Sequence, residues 1–593
     1  MSVISIIQSA VINALENSYG QTLSSKDFQV NKTKPEFEGD YTIVLFSLLK
    51  PLKQSPDALG KKLGDELLQK NPGLFSAYNI IKGFLNLTIA DGYWNHTLNN
   101  NYIDLNFGKK EKRGKKIIVE YSSPNTNKPL HLGHLRNNFL GWSVAEILKA
   151  DGYDVVKTCI ANDRGIHICK SMIAWQRYAN GATPESTDTK GDHFVGDYYV
   201  LFGNEHKKEV AVLKAQGMSE EHAEQEAPIM KAAKQMLVDW EAGKPEVITL
   251  WKTMNSWVYK GFDVTYKRIG SDFDKIYYES DTYLLGKKLV EEGLKKGVFI
   301  QKDDGSVWVD LTNDGLDEKI VQRKDGTAVY ITQDIGLAVQ KYEEYKYDQS
   351  IYVVGDEQNY HFKVLKLICE KLGLPSSDGI HHLSYGMVEL PSGRMKTREG
   401  TVVDADDIVD EMIHVAEQKT TELGKVKDFT EAELKQLYDT IGLGALKFFI
   451  LRVDPKKRMV FNPEESIDFH GFTASFVQFS HARAKAILRN ESPDGAYIFN
   501  ENAPLLPLEK ELIILLEQYG NTIQQAAADH NPSLIVNYCY DIAKTFNSFV
   551  TEHRVLKAES EDKKQLRLRI CKMTANVLAS GMGLLGIAVP ERM

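Results

Sequence analysis

Cysteine is scarce in this chain, and its cysteines are widely scattered. Only five occur among 593 residues, and no two of them form a Cys-x-x-Cys pair. Zinc sites and disulfide frameworks both need cysteines at short, regular spacing. We therefore expect neither kind of site and no metal held by the protein itself, and we expect a chain that works in the reducing cytoplasm.

Long apolar runs are also missing. No segment approaches the roughly 20 apolar residues that a membrane-spanning helix needs. The opening segment MSVISIIQSAVINALENSYG carries Glu16 and lacks the basic start of a signal peptide. Its apolar residues recur at helical spacing, which predicts an amphipathic helix. We expect no membrane partner.

The chain also lacks an excess of positive charge. Its formal net charge is −9, which gives no support for nucleic-acid binding but leaves a local basic surface possible. The hydrophobic content of 42% and charged content of 26% are ordinary for a soluble protein. At 593 residues the chain is too long for a single hydrophobic core, so we expect three or more domains.

Three regions differ in their patterns, and together they predict a multidomain α/β protein. Residues 1–95 are typical of a small α+β domain. In residues 112–440, apolar strands alternate with helices, which predicts a Rossmann-like parallel sheet with a helical insertion around 182–248. Residues 450–593 predict an all-α domain. The charged run Gly108–Lys116 is interpreted as a solvated linker, with an RNA contact as the alternative.

The run KIIVEYSSPNTNKPLHLGHLRNNFLG predicts a buried strand, a polar turn and a helix that opens on His131-Leu132-Gly133-His134. Free backbone N–H groups at a helix N-terminus bind anions. The two imidazoles add donors, and Gly133 leaves room for a flat ligand such as a nucleobase. The stretch therefore predicts a site for a nucleoside triphosphate, with charge developing on its α-phosphate.

A second distinctive stretch, LPSGRMKTREGTVVDADDIVDEM, places Arg394, Lys396 and Arg398 beside two glycines. Cations on such a loop can close over a polyphosphate and stabilise a transition state. A solvated basic turn is the alternative for this loop taken alone. Together with the histidine turn on one α/β frame, the loop favours a two-part phosphate clamp.

Several blocks of the sequence resemble one family throughout the chain. The histidine turn and GRMKT resemble the HIGH and KMSKS motifs of class I aminoacyl-tRNA synthetases. EYSSPNTNKPLHLGHLRNNFLG, DGTAVYITQDIG, SFVQFSHARAKAILR and LLGIAVPERM resemble blocks of the arginyl-tRNA synthetases. The resemblance implies a class I catalytic domain, an N-terminal tRNA-recognition domain and a helical anticodon-binding domain. It also implies ATP-dependent ligation of L-arginine to its tRNA through an arginyl-adenylate, with Mg²⁺ and with release of AMP and diphosphate.

The resemblance also implies roles for individual residues in the ATP chemistry. In this sequence Thr397 stands where KMSKS has its second lysine, and Lys128, just ahead of the histidine turn, matches a lysine thought to compensate. An ordinary solvated lysine is the alternative for Lys128. The residues expected to act on ATP are His131, Gly133, His134, Lys128, Met395, Lys396 and Arg398.

A guanidinium ion prefers a carboxylate in bidentate geometry. Tyr330 and Asp334 are four residues apart, hence on one helical face, and the resemblance implies that both bind the arginine side chain. The other matching positions are Glu279 for the guanidinium, Asn125 and Gln358 for the α-amino group, Ser123 and Pro124 in the same turn, and His134. Glu120 is another acid near these residues, and the alternative to a role in the site is a purely structural one. The turn Asn162–Gly165 is expected to border the pocket or to be a simple Asx-capped turn.

Recognition of the tRNA is expected at both ends of the chain. The helix SFVQFSHARAKAILR mixes aromatic residues for stacking with cations for phosphates, although core packing would produce the same aromatic spacing. The candidate contacts are Phe476, Gln478, Phe479, His481 and Arg483, with Arg489 farther along. Phe84 and Asn86 match positions implicated at the tRNA elbow. The basic run Lys563, Lys564, Arg567 and Arg569 is interpreted as a solvated helix face, with a contact to tRNA phosphate as the alternative.

Two other functions remain as alternatives. A nucleotidyltransferase with an HxGH turn is usually much shorter and lacks a helical C-terminal domain. A non-catalytic tRNA-binding paralogue would have lost polar groups of the catalytic site, whereas this sequence retains them. We expect a monomer without an editing site, since polar recognition of a guanidinium rejects analogues that lack it by ~10⁴ or more.

Overall fold

The structure is a computed structural model that describes residues 2–21, 23–327, 329–389, 403–424, 428–498 and 500–593. Within these ranges, none of the helices combines the length and the apolar character that a membrane crossing requires.

The N-terminal part packs helices on a four-stranded antiparallel sheet. Its elements are α1 (Val3–Tyr19), β1 (Val30–Lys32), β2 (Tyr41–Val44), α2 (Phe46–Leu52), α3 (Pro56–Lys70), β3 (Phe75–Ile81), β4 (Phe84–Ile89) and α4 (Asp91–Asn101). The predicted first helix is confirmed: Ser2 caps α1, and Val3, Ile7, Val11 and Leu15 bury one face of it. The strands follow the order β1-β2-β4-β3.

The central part alternates strands and helices. Its elements are β5 (Lys116–Glu120), α5 (Leu132–Ala150), β6 (Asp154–Ala161), α6 (Ile166–Tyr178), α7 (Pro184–Thr187), α8 (Gly191–Ala215), α9 (Glu220–Glu226), α10 (Pro228–Glu241), α11 (Pro245–Ile269), β7 (Lys275–Tyr278), α12 (Glu279–Thr282), α13 (Lys287–Lys295), β8 (Phe299–Gln301), β9 (Val307–Val309), β10 (Lys319–Gln322), α14 (Tyr330–Tyr345), β11 (Gln349–Gly355), α15 (Asn359–Lys371), β12 (Ile380–Tyr385) and β13 (Val388–Glu389).

Five of these strands form one parallel sheet in the order β12-β11-β5-β6-β7. The chain runs outward from β5 to β7, then returns to the other side of β5 with β11 and β12. The strand order therefore reverses between β5 and β11, and ligands of open α/β sheets bind in the crevice at such a reversal. The predicted Rossmann-like parallel sheet is confirmed, and the histidine turn follows β5 at that crevice.

Two features of the central part differ from the sequence-based expectation. Helices fill the insertion well past residue 248, because α11 continues without a break to Ile269. A small antiparallel sheet, β10-β9-β8, stands between β7 and α14 and was not predicted. Its strands contribute Val307, Val309 and Val321 to a second apolar core, which they share with α14, α15 and β11.

The C-terminal part is helical, as predicted. Its elements are α16 (Ala405–Leu423), α17 (Glu431–Leu451), β14 (Met459–Val460), α18 (Pro463–Ser466), α19 (Ala474–Asn490), α20 (Pro507–Glu517), α21 (Tyr519–Asp529), α22 (Ser533–Glu552) and α23 (Glu561–Leu584). The short strand β14 pairs in parallel with β13 and so joins this part to the central sheet region.

The charged run Gly108–Lys116 is largely exposed, as its interpretation as a solvated linker expects, but two of its residues are anchored on the protein. Lys110 and Arg113 both pair with Asp151 at the end of α5, at 2.8 and 2.6 Å. Their backbone N–H groups donate to the carbonyls of Ala150 and Gly152. This run therefore holds the end of α5 in place.

Candidate active site

The turn after β5 is strained and tightly held. Ser122 and Ser123 both have positive φ, at 81° and 46°. Such conformations cost about 1–3 kcal/mol per residue and persist only where the surroundings impose them. The Asn137 side chain of α5 imposes this one: its oxygen accepts from the Ser122 N–H at 2.5 Å, and its nitrogen donates to the Val353 carbonyl in β11 at 2.7 Å. One amide thus ties the turn to the strand across the crevice.

His131 and His134 form a reciprocal cap at the start of α5. The Nδ1 atom of His131 accepts from the Gly133 N–H, and the Nδ1 atom of His134 accepts from the His131 N–H, both at 3.1 Å. A neutral imidazole that accepts at Nδ1 carries its proton on Nε2. The two ring centroids are 3.9 Å apart. The helix N-terminus therefore presents two adjacent Nε2–H donors.

Both imidazoles are neutral at physiological pH. Burial lowers the pKa of His131 to about 4, and the charge of Lys128 adds to this effect. Burial lowers the pKa of His134 well below its ordinary value, again with contributions from His131 and Lys128. Because neither ring takes a proton readily, both keep Nδ1 free to accept the backbone N–H bonds. The arrangement suits donation to an anionic oxygen.

The second cationic motif is not among the residues that the structure describes. Arg394, Met395, Lys396, Thr397 and Arg398 lie outside the described residues. On the far side of the motif, Asp404 forms a backbone bridge with His131, and the Ala405 N–H donates to the Leu130 carbonyl at 3.0 Å. The chain after the second motif therefore lies directly against the first.

Tyr330 and Asp334, the predicted contacts of the arginine side chain, lie on the first turns of α14. The Nε2 atom of His361 in α15 lies 2.6 Å from Asp334 Oδ2 and fixes this carboxylate. The rings of Tyr330 and His361 are 5.8 Å apart. His361 was not predicted as a site residue. It follows Gln358 by one helical turn, and this spacing was the only signal for it in the sequence.

Glu279 belongs to the same acidic region. Burial raises its pKa to about 7; Arg164 opposes the rise, and Asp163 and Asp334 add to it. Mutual repulsion among carboxylates in a confined space is relieved by a cation. Asp163, Glu279 and Asp334 therefore form an acidic region suited to a positively charged ligand.

The turn Asn162–Gly165 borders this region, as expected. Asp163 is buried and accepts from the Ser280 N–H at 2.8 Å and from the Tyr259 hydroxyl at 2.9 Å. The Asn162 N–H donates to the Pro124 carbonyl at 2.9 Å, and Asn162 forms a backbone bridge with Asn125. These bonds place the turns after β5 and β6 side by side.

The remaining predicted site residues gather at the same edge of the sheet. Ser123, Pro124 and Asn125 follow β5, and Gln358 ends the short turn after β11. Asn125 and Gln358 are exposed. The carboxyl ends of β5, β6, β7 and β11 thus bring together residues that are far apart in the sequence.

Glu120 lies beneath this edge and has a structural contact. It forms an ion pair with Lys341 of α14, and both side chains are buried. The Lys341 ammonium also lies 4.5 Å from the centre of the Tyr352 ring. This pair ties α14, which carries Tyr330 and Asp334, to the end of β5.

Three of the predicted tRNA contacts are buried, and for them the structure requires a correction. Gln478 is fully buried and donates to the carbonyls of Thr440 and Ala588, at 3.2 and 2.8 Å. His481 is buried, with Nδ1 at 3.0 Å from the Pro590 carbonyl. Asn86 is buried and donates to Asn79 at 2.8 Å. Gln478 and His481 bind the C-terminal tail, and Asn86 bonds within the N-terminal sheet. None of the three offers a free surface to tRNA.

The other candidate tRNA residues are nearer the surface. The Phe84 side chain is 37% exposed and meets the ring of Phe46 edge-on at 5.4 Å. Phe476 and Phe479 are half-buried in α19. Arg483 donates to Asn547 at 3.0 Å. It also lines a cavity of about 560 Å³ whose other walls are Ile487, Val550, Arg554, Val555, Leu556 and Lys557.

The basic run on α23 is not a solvated face, so that interpretation is wrong. Lys563 and Arg567 both pair with the fully buried Glu509, at 2.5 and 2.9 Å. Arg567 and Arg569 are themselves buried. Because internal partners engage these cations, the run stabilises the helical domain.

Family models and relatives match the chain over nearly its whole length. The model described as "tRNA synthetases class I (R), catalytic domain" matches residues 98–462. "Arginyl tRNA synthetase N terminal domain" matches residues 5–89, and "DALR anticodon binding domain" matches residues 477–593. The arginine–tRNA ligase of Bacteroides thetaiotaomicron is 52% identical over 590 residues, 98% of each chain. That of Flavobacterium psychrophilum is 52% identical over 606 residues, 100% of each chain.

Two solved structures share the fold. The arginyl-tRNA synthetase of Thermus thermophilus has a TM-score of 0.82 at 23% identity, with 100% of each chain covered. The arginyl-tRNA synthetase of Plasmodium falciparum has a TM-score of 0.76 at 16% identity, covering 100% of this chain and 99% of that one.

The electrostatics of the histidine turn lead to a prediction. Lys128→Met should raise the pKa of His131 above about 4, because a positive charge that disfavours the imidazolium is removed. In the unaltered protein the His131 ring should remain the neutral Nε2–H tautomer from about pH 8 to about pH 5. The measurement is ¹⁵N NMR of histidine-labelled protein, with His131 assigned through His131→Gln.

The matched control is Lys208→Met, since Lys208 is exposed on α8 and should leave the His131 titration unchanged. Titration of His131 near its ordinary pKa of 6.5 would contradict the burial argument. Equal shifts in the two lysine variants would contradict the role of Lys128.

Proposed function

This chain belongs to the arginyl-tRNA synthetase family, and we propose that the crevice between β5 and β11 is where it activates L-arginine with ATP. The enzyme ligates arginine to tRNA through an arginyl-adenylate and releases diphosphate and AMP. One observation carries the assignment of the site. The paired Nε2–H donors at the start of α5 are complementary to phosphate, the carboxyls of Glu279 and Asp334 are complementary to guanidinium, and both sets lie at one sheet edge.

The activation step is an in-line displacement. A carboxylate oxygen of arginine forms a bond to the α-phosphorus, and the bond from that phosphorus to the diphosphate oxygen breaks. Little covalent work falls to the protein, so positioning and charge stabilisation dominate. His131 and His134 donate Nε2–H groups to the α-phosphate oxygens, while Gly133 leaves space beside them. Lys128, Lys396 and Arg398 neutralise charge on the departing diphosphate, and Met395 lies within the same loop motif.

The acidic end of the site selects arginine. Asp334 and Glu279 pair with the guanidinium, and Tyr330 packs beside it. His361 fixes the orientation of the Asp334 carboxylate. Asn125 and Gln358 hold the α-amino group, with Ser123, Pro124 and His134 beside it. Because a guanidinium is planar and forms two parallel bonds to a carboxylate, a shorter or tetrahedral cation fits this geometry less well.

Mg²⁺ would be bound together with ATP. Among the described residues, His193, Asp404 and Asp406 have ligand atoms within 4.8 Å of one another. Lys190 lies 2.7 Å from Asp406, and the two aspartates raise the pKa of His193 to about 10, so cationic groups of the protein already engage these oxygens. The phosphate oxygens and water are the ligands that Mg²⁺ ordinarily takes in such sites. When bound, the ion neutralises phosphate charge.

The second step transfers arginine to the tRNA 3′ end. The exposed Phe84 offers a stacking surface in the N-terminal domain, and Arg483, Phe476 and Phe479 offer cationic and aromatic groups on α19. We place the enzyme in the cytoplasm as a monomer. A non-catalytic paralogue is the second candidate, and the retained His131, His134, Lys128, Tyr330 and Asp334 argue against it.

Exchange of diphosphate into ATP, dependent on L-arginine and run with and without tRNA, tests this function. The unaltered enzyme should show exchange under at least one condition. Asp334→Asn should raise the arginine KM by ~10²-fold, since a carboxylate that pairs with the guanidinium is lost. The KM for ATP should change far less.

Asp303→Asn, in an exposed turn after β8, is the matched control and should behave like the unaltered enzyme. Absence of exchange under both conditions would overturn the enzymatic assignment. Equal losses for arginine and ATP in Asp334→Asn would make Asp334 a structural residue.

The raised pKa of Glu279 predicts a pH dependence for arginine binding. Only the ionised carboxylate pairs with a guanidinium, and with a pKa of about 7 this form is lost as the pH falls. The arginine KM should therefore rise about ten-fold between pH 8 and pH 6. Glu279→Gln should bind arginine more weakly but with a flat profile over this range. Parallel profiles in the two proteins would assign the titration to another group.

A further inference from the structure

Helix α8, the long helix of the insertion, lies against three parts of the ATP end of the site. His193, Gly196 and Tyr199 are spaced by three residues, so each lies next to the following one on the same broad side of α8. Each of them contacts a different segment: the start of α16, the residues ahead of the histidine turn, and the start of α6. None of these three α8 residues is among the groups assigned above to either substrate.

His193 connects α8 to the start of α16. Its Nε2 atom lies 3.1 Å from Asp404 Oδ2 and 3.5 Å from Asp406 Oδ2. The other oxygen of Asp404 caps α16 by accepting from the Asp406 N–H at 2.7 Å. The backbone of the same Asp404 is bridged to His131. A single aspartate thus links His193 to the histidine turn.

Neighbouring charges support this link. Lys190 lies 2.7 Å from Asp406 and 3.0 Å from the fully buried Asp192, and it also donates to Thr265 of α11 at 2.6 Å. Cations at Lys190 and His193 face carboxyls at Asp192, Asp404 and Asp406. Two helices of the insertion are therefore joined through charges to the first turn of α16.

Gly196 lets α8 rest directly on the residues ahead of the histidine turn. A Cβ atom at this position would lie 2.8 Å from Pro129 Cδ and 3.6 Å from Lys128 Cα. A carbon at 2.8 Å is too close, so any side chain would force α8 and Pro129 apart. The glycine thus determines how near the helix comes to Lys128.

Tyr199 completes this side of α8. Its hydroxyl lies 3.0 Å from His167 Nδ1, on the first turn of α6. Helix α6 follows the turn Asn162–Gly165, whose backbone is bonded to Pro124. The third contact therefore leads back to the strained turn after β5.

We infer that α8 is a positioning element of the ATP site, in which Gly196 and His193 hold Lys128 and His131 in register for phosphate binding. Asn137 ties α5 to the turn after β5 and to β11, and α8 contacts Lys128 and Pro129 just ahead of the histidine turn. Catalysis of in-line displacement depends on placement, and a shift of about 1 Å can cost ~10²-fold in rate. The inference rests on the proposed function, because it concerns the same ATP site.

Gly196→Ala tests the inference, with Gly203→Ala as its matched control. Both place one methyl group on the same helix, but a Cβ at Gly203 meets nothing within 4 Å. In the exchange assay, Gly196→Ala should lower kcat/KM for ATP by roughly ten-fold or more. It should leave the arginine KM within about two-fold, since the acidic end lies beyond the contact. Gly203→Ala should match the unaltered enzyme.

A second pair of variants keeps the test independent of overpacking. His193→Gln removes the charge, and Asp404→Asn removes its partner while retaining a residue that caps helices well. Each should lower kcat/KM for ATP selectively, and the double variant should be no worse than the more affected single variant.

The outcomes are distinguishable. If the unaltered protein shows no arginine-dependent exchange, the proposed function fails and this inference fails with it. If the unaltered protein is active but Gly196→Ala and His193→Gln match Gly203→Ala, the inference alone is wrong. Equal losses for ATP and arginine, together with a lowered Tm, would also overturn it, because they indicate a merely structural role.

Discussion

The strained turn at Ser122 and Ser123 is the constraint on which the rest of the site depends. Two left-handed serines in succession stop β5 abruptly, and Asn137 holds the turn by bonding to Ser122 and to Val353. This brings the start of α5 to the crevice where the strand order reverses. The position of that turn therefore sets the positions of three other features: the histidine cap, the backbone bridge to Asp404 and the contact of α8 with Pro129.

The crevice is electrostatically divided. At one end, burial keeps the imidazoles of His131 and His134 neutral, so they offer directed N–H donors beside Lys128. At the other end, burial and neighbouring carboxyls leave Glu279 only weakly acidic. The anionic phosphate of ATP accepts from the N–H groups at the first end. The cationic side chain of arginine stabilises the ionised form of Glu279 at the second. Binding and orientation therefore have the same physical origin.

Much of the fold was predictable, and the exceptions have physical reasons. β5, β6 and β11 contain runs rich in β-branched apolar residues and are recognisable from the sequence, whereas β7 to β10 have only three or four residues each and β12 carries two histidines. Residue type alone did not reveal that Gln478, His481 and Asn86 are buried, because their partners come from other segments: the carbonyls of Ala588 and Pro590 for α19, and Asn79 for β4. His361 and Gly196 acquire their roles only through contacts between distant segments, which periodicity does not record.

A crystal structure with arginyl-sulfamoyl-adenosine would test the central claim most directly. Its sulfamoyl group stands in for the α-phosphate of the adenylate, and its arginyl side chain is that of the substrate. The Nε2 atoms of His131 and His134 should lie within about 3.2 Å of the sulfamoyl oxygens, with the guanidinium on Asp334 and Glu279. A sulfamoyl group remote from both imidazoles, or rings that have given up their backbone bonds at Nδ1, would contradict the account.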